Sequence, residues 1–445
     1  MPSIELKRLM GSRGLSSLRC IAGALLTFWG TLLSAQAGEF ALNPPAPSMD
    51  RWVYFVGDFL GDRPVASTFA SFDSRFDTRD GQFLMGWDTA AALATNAGPA
   101  KYLIRTARVA VTITGNRSFE YDPTFDPFLT YATNLPGYVP DADPGRPVEL
   151  YGAGFRNGFT AETYRENSPY GPIGPFNSPT ITVGTRNSFA AMIGTNGTLV
   201  DVSNNVGQVN ASWTEPPFEV RPWAVGTTPG VQPGELVPED SVFTFDVDLS
   251  DPLIVGYLQS ALNDGRLRLY IACLSPAVQS TPGGTGNGGT GAYPQWATRE
   301  NVLFDPPRLE LTGVLVGPED TDQDGLPDDW ERFHLGSLTA GADDDSDGDG
   351  TSNRFENLAG TDPGKASSVF RLESQGFDGD GNATLRFSIA PSQRYRVESS
   401  PDLVQWAPAQ GTLSFPESGW ALFQEQKLNV PPSAPQQAYY RVVIE

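Results

Sequence analysis

Along much of the chain, apolar side chains alternate with polar ones. "RVAVTITG" turns Val109, Val111 and Ile113 one way, and "VFTFDVDL" sets Phe243, Phe245, Val247 and Leu249 against Thr244, Asp246 and Asp248. "RLRLYIACL" does the same with Leu267, Leu269, Ile271 and Cys273. A period of two over such lengths predicts half-buried β-strands. The pattern changes once, between two of these strands. There Ser250 or Asp251 offers a cap, Pro252 suits a first turn, and Leu253, Ile254, Tyr257, Leu258 and Leu262 share a helical face before Gly265. These signals predict a helix closing one end of a β-sandwich. Leu309 and Leu311 of "PRLELTGVL" read as a closing strand, and the Gly-rich tract Thr281–Gly291 before it reads as a surface loop. Alternation resumes in the tail with Leu385, Phe387 and Ile389, then Tyr395 and Val397, then Tyr440, Val442 and Ile444. That tail has room for a compact sandwich of about six to eight short strands.

The 47 glycines and 38 prolines among 445 residues favour short strands and many turns. The first residues read differently. Lys7, Arg8, Arg13 and Arg19 precede the apolar run Cys20–Leu33, and "SAQA" ends at Ala37. This is the pattern of a secretory signal peptide cleaved after Ala37, and the run is too short for a membrane span. Cleavage removes Cys20 and leaves Cys273 without an intrachain partner, on the apolar side of its strand, where it reads as core.

The formal charge is −22. Residues 1–37 carry four bases and one acid, so residues 38–445 carry −25. Such a field excludes nucleic acid as a partner and favours cations. About half of it lies between Pro318 and Pro363, where 14 acids face only Arg332 and Arg354.

Those acids fall in register. A calcium loop takes ligands from positions 1, 3, 5, 7 (through the backbone carbonyl), 9 and 12, with Gly at 6. From Asp320 the positions are Asp320, Asp322, Asp324, Leu326, Asp328 and Glu331, with Gly325 at 6. From Asp345 they are Asp345, Asp347, Asp349, Thr351, Asn353 and Glu356, with Gly350 at 6. Calcium takes about six to eight oxygens, more protein ligands than magnesium accepts. Alternate aspartates converge on one point when a glycine with positive φ lets the chain curl. Two Ca2+ ions are therefore expected. Trp330 and Phe333, and likewise Phe355 and Leu358, are spaced to share a helix face after each loop, and the two faces are expected to pack together. Gly360 is expected to cap the second helix.

"DTDQDGLPDDWE…DDDSDGDGTSNRFENLAGTDP" resembles the bacterial thrombospondin type 3 repeat, an extracellular calcium module whose loops are like those of dockerins and EF-hands. Loop positions 10 and 11 are Asp329–Trp330 and Arg354–Phe355, where dockerins proper carry duplicated small polar residues, so cohesin docking is not implied. "GQFLMGWDT…AKYLIRTARVAVTI" and "FDVDLSDPLIVGYLQSALNDGRLRLYI" are similar to secreted jelly-roll domains of the DNRLRE type, some of which bind polysaccharide. "YRVESSPDLVQW…AYYRVVI" is similar to the terminal β unit of many secreted planctomycete and verrucomicrobial proteins.

Catalytic signatures are sparse. His334 is the only histidine, which removes Ser-His-Asp, Cys-His and HExxH chemistry, and it reads as a helix-end residue. A pair of carboxylates remains open as a catalytic device. Trp52, Trp87, Trp213, Trp223 and Trp296 lie in or near predicted loops and edges, to serve as a sugar-stacking platform or as core.

The expected organisation is mostly β. It comprises a signal peptide (1–37), a large jelly-roll-like β-sandwich (38–317), a small α-containing two-loop calcium module (318–366) and a small C-terminal β-sandwich (367–445). The expectation is a secreted structural or adhesive protein, extracellular or at the cell surface, in which calcium rigidifies the junction between β domains. Its other partner would be an extracellular polysaccharide or cell-surface component. The alternative makes the large domain a polysaccharide-binding module or carbohydrate-active enzyme.

Overall fold

The computed structural model describes residues 38–54, 61–71, 76–131, 136–171, 186–194, 197–207, 216–277, 293–377, 383–389, 395–409, 411–414, 423–428 and 439–444. The expected signal peptide, the Gly-rich tract and Trp213 lie outside them. The protein is mostly β, with three α-helices among the described residues. Among the described residues no helix is long and apolar enough to cross a membrane.

Eight of the described strands frame the large domain: β1 (Gly38–Leu42), β2 (Arg79–Asp88), β3 (Tyr102–Thr112), β4 (Val148–Phe155), β5 (Ser188–Ile193), β6 (Val242–Asp246), β7 (Arg266–Cys273) and β8 (Arg308–Leu315). Each early strand pairs antiparallel with a late one: β1 with β8, β2 with β7, β3 with β6, and β4 with β5. Two more ladders, β8 to β3 and β7 to β4, close the set into sheets ordered β1-β8-β3-β6 and β2-β7-β4-β5. A four-pair antiparallel hairpin rolled on itself has this order, which is the jelly roll. Met49–Val53 extends the second sheet beyond β2, and Leu199–Asp201 extends it beyond β5.

The alternating residues meet between the sheets. Val109 and Val111 of β3, Phe243 and Phe245 of β6, and Leu309 and Leu311 of β8 share one core with Phe83, Met85 and Trp87 of β2 and with Leu267, Leu269, Ile271 and Cys273 of β7. Cys273 is buried and its Sγ contacts the Thr68 hydroxyl at 3.4 Å, so it is a core residue. Helix α1 (Pro252–Asn263) follows the sequence signals. The Asp251 side chain accepts from the Leu253 N–H at 2.9 Å, and Gly265 turns away at φ 71°.

The second sheet is buried on its outer face as well, which alternation along β2, β4 and β7 did not announce. Leu84, Tyr151, Ala153 and Tyr270 pack there under loops carrying Tyr164, Val202 and Val220. The charged residues enclosed with them are paired: Arg79 with Glu149 at 2.7 Å and Arg186 with Asp77 at 2.6 Å. A buried ion is tolerated only with such a partner.

At the C-terminal end, Leu372–Phe377, Ala383–Ser388, Phe423–Leu428 and Gly411–Ser414 form one sheet. Ala407–Pro408, Tyr395–Ser400 and Tyr439–Ile444 form another. Leu385, Phe387 and Val397 are the buried centre between them, within the expected strand number.

Candidate metal centre

The acidic segment folds into two loops with one backbone path, offset by 25 residues. Position 4 is left-handed in both, at Gln323 (φ 64°) and Gly348 (φ 80°), and so is position 6, at Gly325 (φ 97°) and Gly350 (φ 94°). The hydrogen bonds repeat as well. The position-6 N–H donates to the position-1 carboxylate: Gly325 to Asp320 Oδ2 at 3.0 Å, and Gly350 to Asp345 Oδ2 at 2.8 Å. The position-7 N–H donates to the position-5 carboxylate: Leu326 to Asp324 Oδ1 at 2.8 Å, and Thr351 to Asp349 Oδ1 at 2.7 Å. The position-9 N–H donates to the carbonyl just before the loop, Asp328 to Glu319 and Asn353 to Asp344, each at 2.8 Å.

These bonds curl each loop so that its first three aspartates converge. One oxygen from each of Asp320, Asp322 and Asp324 lies within 4.8 Å of the others, and Asp345, Asp347 and Asp349 gather in the same way. Glu331 and Glu356, in α2 (Asp328–His334) and α3 (Asn353–Ala359), are fully buried at position 12. Eight buried oxygens in the two loops have no hydrogen-bond partner. They are Asp320 Oδ1, Asp324 Oδ2 and both Glu331 oxygens in the first loop, and Asp347 Oδ2, Asp349 Oδ2, Asn353 Oδ1 and Glu356 Oε2 in the second. All are acceptors. Burying acceptors in this way is costly without a compensating partner, and a cation is the partner that several converging oxygens share. An all-oxygen donor set fits a hard cation.

The electrostatics agree with that chemistry. Burial, followed by repulsion from Asp322, Asp324, Asp328 and Asp320, pushes Glu331 up to about 7. Burial and repulsion from Asp347, Asp349 and Asp362 push Glu356 up to about 7, against a hydrogen bond from Thr361.

Asp328 is placed differently from its counterpart Asn353. Its Oδ1 accepts the Thr321 N–H at 2.7 Å, and its Oδ2 accepts the Thr321 hydroxyl at 2.6 Å and Arg332 at 2.9 Å. Position 9 of such loops often reaches its ion through water, which leaves room for this arrangement.

The expected helix-to-helix core does not form. Trp330 and Leu326 instead join Leu103, Val314 and Val316, residues of β3, β8 and the turn after it. Phe355 and Leu358 are 40% and 46% exposed, and Phe355 meets Phe370 edge-on at 6.0 Å. Phe370 packs in turn on Phe387 and Tyr395 of the C-terminal sandwich. The aromatic residues of the two short helices thus face different neighbours. His334 ends α2, with its Nδ1 3.4 Å from Asp362 Oδ1, and Gly360 caps α3 at φ 71°.

Of the two readings open for the tryptophans, the core reading holds for the three that are enclosed. Trp87, Trp223 and Trp296 are buried in the jelly-roll core, and Trp52 is half-buried, stacked on Tyr54 at 4.8 Å. Two carboxylate clusters went unnoticed in the sequence. Asp50, Glu166 and Glu300 gather around Arg299, and Asp122, Asp126, Asp141 and Asp143 gather in one loop. Proximity in the chain reveals only the pairs within the second cluster.

Comparison with protein-family models, curated proteins and solved structures finds no match for this chain.

Proposed function

We propose that residues 318–366 are a two-site calcium module that stiffens the joint between the jelly roll and the C-terminal sandwich of a secreted structural or adhesive protein. The eight unpartnered acceptor oxygens, divided evenly between two loops of identical course, carry this reading. Asp320, Asp322, Asp324, Leu326 and Glu331 would hold one ion, with Asp328 acting through water. Asp345, Asp347, Asp349, Thr351, Asn353 and Glu356 would hold the other.

The packing supports the mechanical role. The first loop's helix rests on the jelly roll through Trp330, and the second loop's helix meets the sandwich through Phe355. Arg354 bridges the loops, its NH2 2.6 Å from the Asp324 carbonyl. Calcium offsets the repulsion among the acids and so fixes both helices at once. Without it the segment loosens, because binding and folding are coupled.

Calorimetric titration of residues 38–445 with calcium tests this, beside the same chain carrying Glu331→Gln and Glu356→Gln. Extracellular modules of this kind bind at about 10⁻⁴–10⁻³ M. Two binding events are expected to vanish in the double variant, and a chelator is expected to open the 318–363 region to protease. Identical titrations of the two chains would refute the module.

A further inference from the structure

The jelly roll carries an acidic cluster of its own, in the 113–147 connection between β3 and β4. Oxygens of Asp122, Asp126, Asp141 and Asp143 all lie within 4.8 Å of one another. Asp122 and Asp126 are 2% and 4% exposed, so this is not a solvated acidic surface. Gly145, at φ 103°, brings the returning chain against Asp122: a Cβ there would lie 3.0 Å from the Asp122 Cβ and 3.1 Å from the Glu120 carbonyl.

The positive and hydrogen-bonding partners inside the cluster are too few. Among the described residues Arg146 is the one base that meets it, through Nη1 to Asp126 Oδ2 and to Asp141 Oδ2, each at 2.7 Å, with its guanidinium 4.1 Å from the Tyr131 ring centre. The Tyr131 hydroxyl adds a bond to Asp126 Oδ2 at 3.1 Å. Asp122 Oδ1 accepts the Thr124 N–H at 2.8 Å. The Thr124 hydroxyl lies 2.7 Å from Asp122 Oδ1 and 2.9 Å from Asp143 Oδ2, and its single proton serves only one of them. Asp122 Oδ2 is buried with no partner. Among the described residues four carboxyl groups face one guanidinium around that oxygen, and a buried charge must be paired or must coordinate a metal.

We infer that Asp122, Asp126, Asp141 and Asp143 form a third calcium site, within the jelly roll and independent of the two-loop module. The donors are all carboxylate oxygens, which selects a hard divalent cation. Asp122 Oδ2 is the acceptor left without a partner, while Asp126 and Asp141 each hold the Arg146 guanidinium with one oxygen. The bound ion would pin the 141–145 segment of the loop against Asp122.

The test uses residues 38–445 with Glu331→Gln and Glu356→Gln already in place, so that the module's ions do not contribute. Terbium, a luminescent stand-in for calcium, is titrated with excitation through tyrosine, since Tyr131 borders the cluster. One saturable site displaced by calcium is expected, and Asp143→Asn should weaken it at least tenfold. Asp143 is half-buried, which makes that change mild for folding, and the Tm in chelator checks that the domain is intact. Adding Asp122→Asn should abolish the signal. Either no calcium-displaceable terbium site in the module-silenced chain, or a site indifferent to Asp143→Asn in a folded domain, overturns the inference.

Discussion

The Arg354 guanidinium donates a 2.6 Å hydrogen bond to the backbone carbonyl of Asp324, so the second acidic loop holds the first. A Cβ on Gly325 would lie 2.6 Å from the same guanidinium, which shows how closely Arg354 covers the turn. Its side chain is 45% exposed, so the bond is worth less than the roughly 1.5–3 kcal/mol of an enclosed charged one. Arg354→Ala is expected to weaken first-loop calcium binding by about threefold to tenfold, on the scale of 1.4 kcal/mol per decade. Calorimetry on Arg354→Lys separates charge from geometry: lysine keeps the charge but lacks the fork, so it should restore only part of the loss.

Glu331→Gln should change stability in opposite directions with and without calcium. In chelator it removes a buried charge surrounded by other acids, so the module should melt higher, by about 4–8 °C for each kcal/mol relieved in a unit this small. With calcium it replaces the two-oxygen, charged position-12 carboxylate by a neutral amide with a single oxygen, so the module should melt lower than the parent. A shift of the same sign in both conditions would count against metal ligation.

Calcium binding should release protons near neutrality. Glu331 and Glu356 are pushed up to about 7 by burial and neighbouring acids, and each must be deprotonated to ligate. Affinity should therefore fall as pH drops through 7 towards the ordinary carboxylate range. Without calcium the sign is reversed: the folded module binds these protons more tightly than the unfolded chain, so its stability falls as pH rises from about 4.5 to 7. Titrations at pH 6.5 in buffers of different ionisation heat would measure the protons released.

Trp330 should matter more than Phe355 to the joint. Trp330 is 5% exposed against the jelly roll, and truncating such a residue costs about 3–5 kcal/mol. Phe355 is 40% exposed and leans on Phe370 alone among the described ring contacts, so Phe355→Ala should cost about 1 kcal/mol, the scale of one aromatic pair. Proteolysis in saturating calcium should cut the 318–363 segment readily in Trp330→Ala and slowly in Phe355→Ala.

Asp50 should make the jelly roll less stable in mild alkali. Burial pushes its carboxyl up to about 8, although its Oδ2 accepts the Arg299 N–H at 2.7 Å. The folded domain keeps a proton there that the unfolded chain has lost, so stability falls as pH rises between about 4 and 8. Asp50→Asn should flatten that slope and raise the Tm at pH 8 by several degrees while changing little near pH 4. Thermal melts across the range would check it.

The sequence alone determined what repeats over short distances. The phase of β3, β6, β7 and β8, the capped helix α1, and the register of both acidic loops follow from periods of 2 and 3.6 and from glycines that only a left-handed turn accommodates. Such signals are local, because neighbouring residues set them sterically. Tertiary structure decided everything that depends on which surfaces meet. It sent Trp330 to the jelly roll and Phe355 towards the sandwich, because contacts between residues far apart in the chain form only once the chain has folded. It enclosed Trp87, Trp223 and Trp296, and it occupied Asp328 with Thr321 and Arg332. It also brought Asp122 and Asp126 to Asp141 and Asp143, because rolling β3 against β4 closes the long loop between them, and no pattern along the chain encodes that closure.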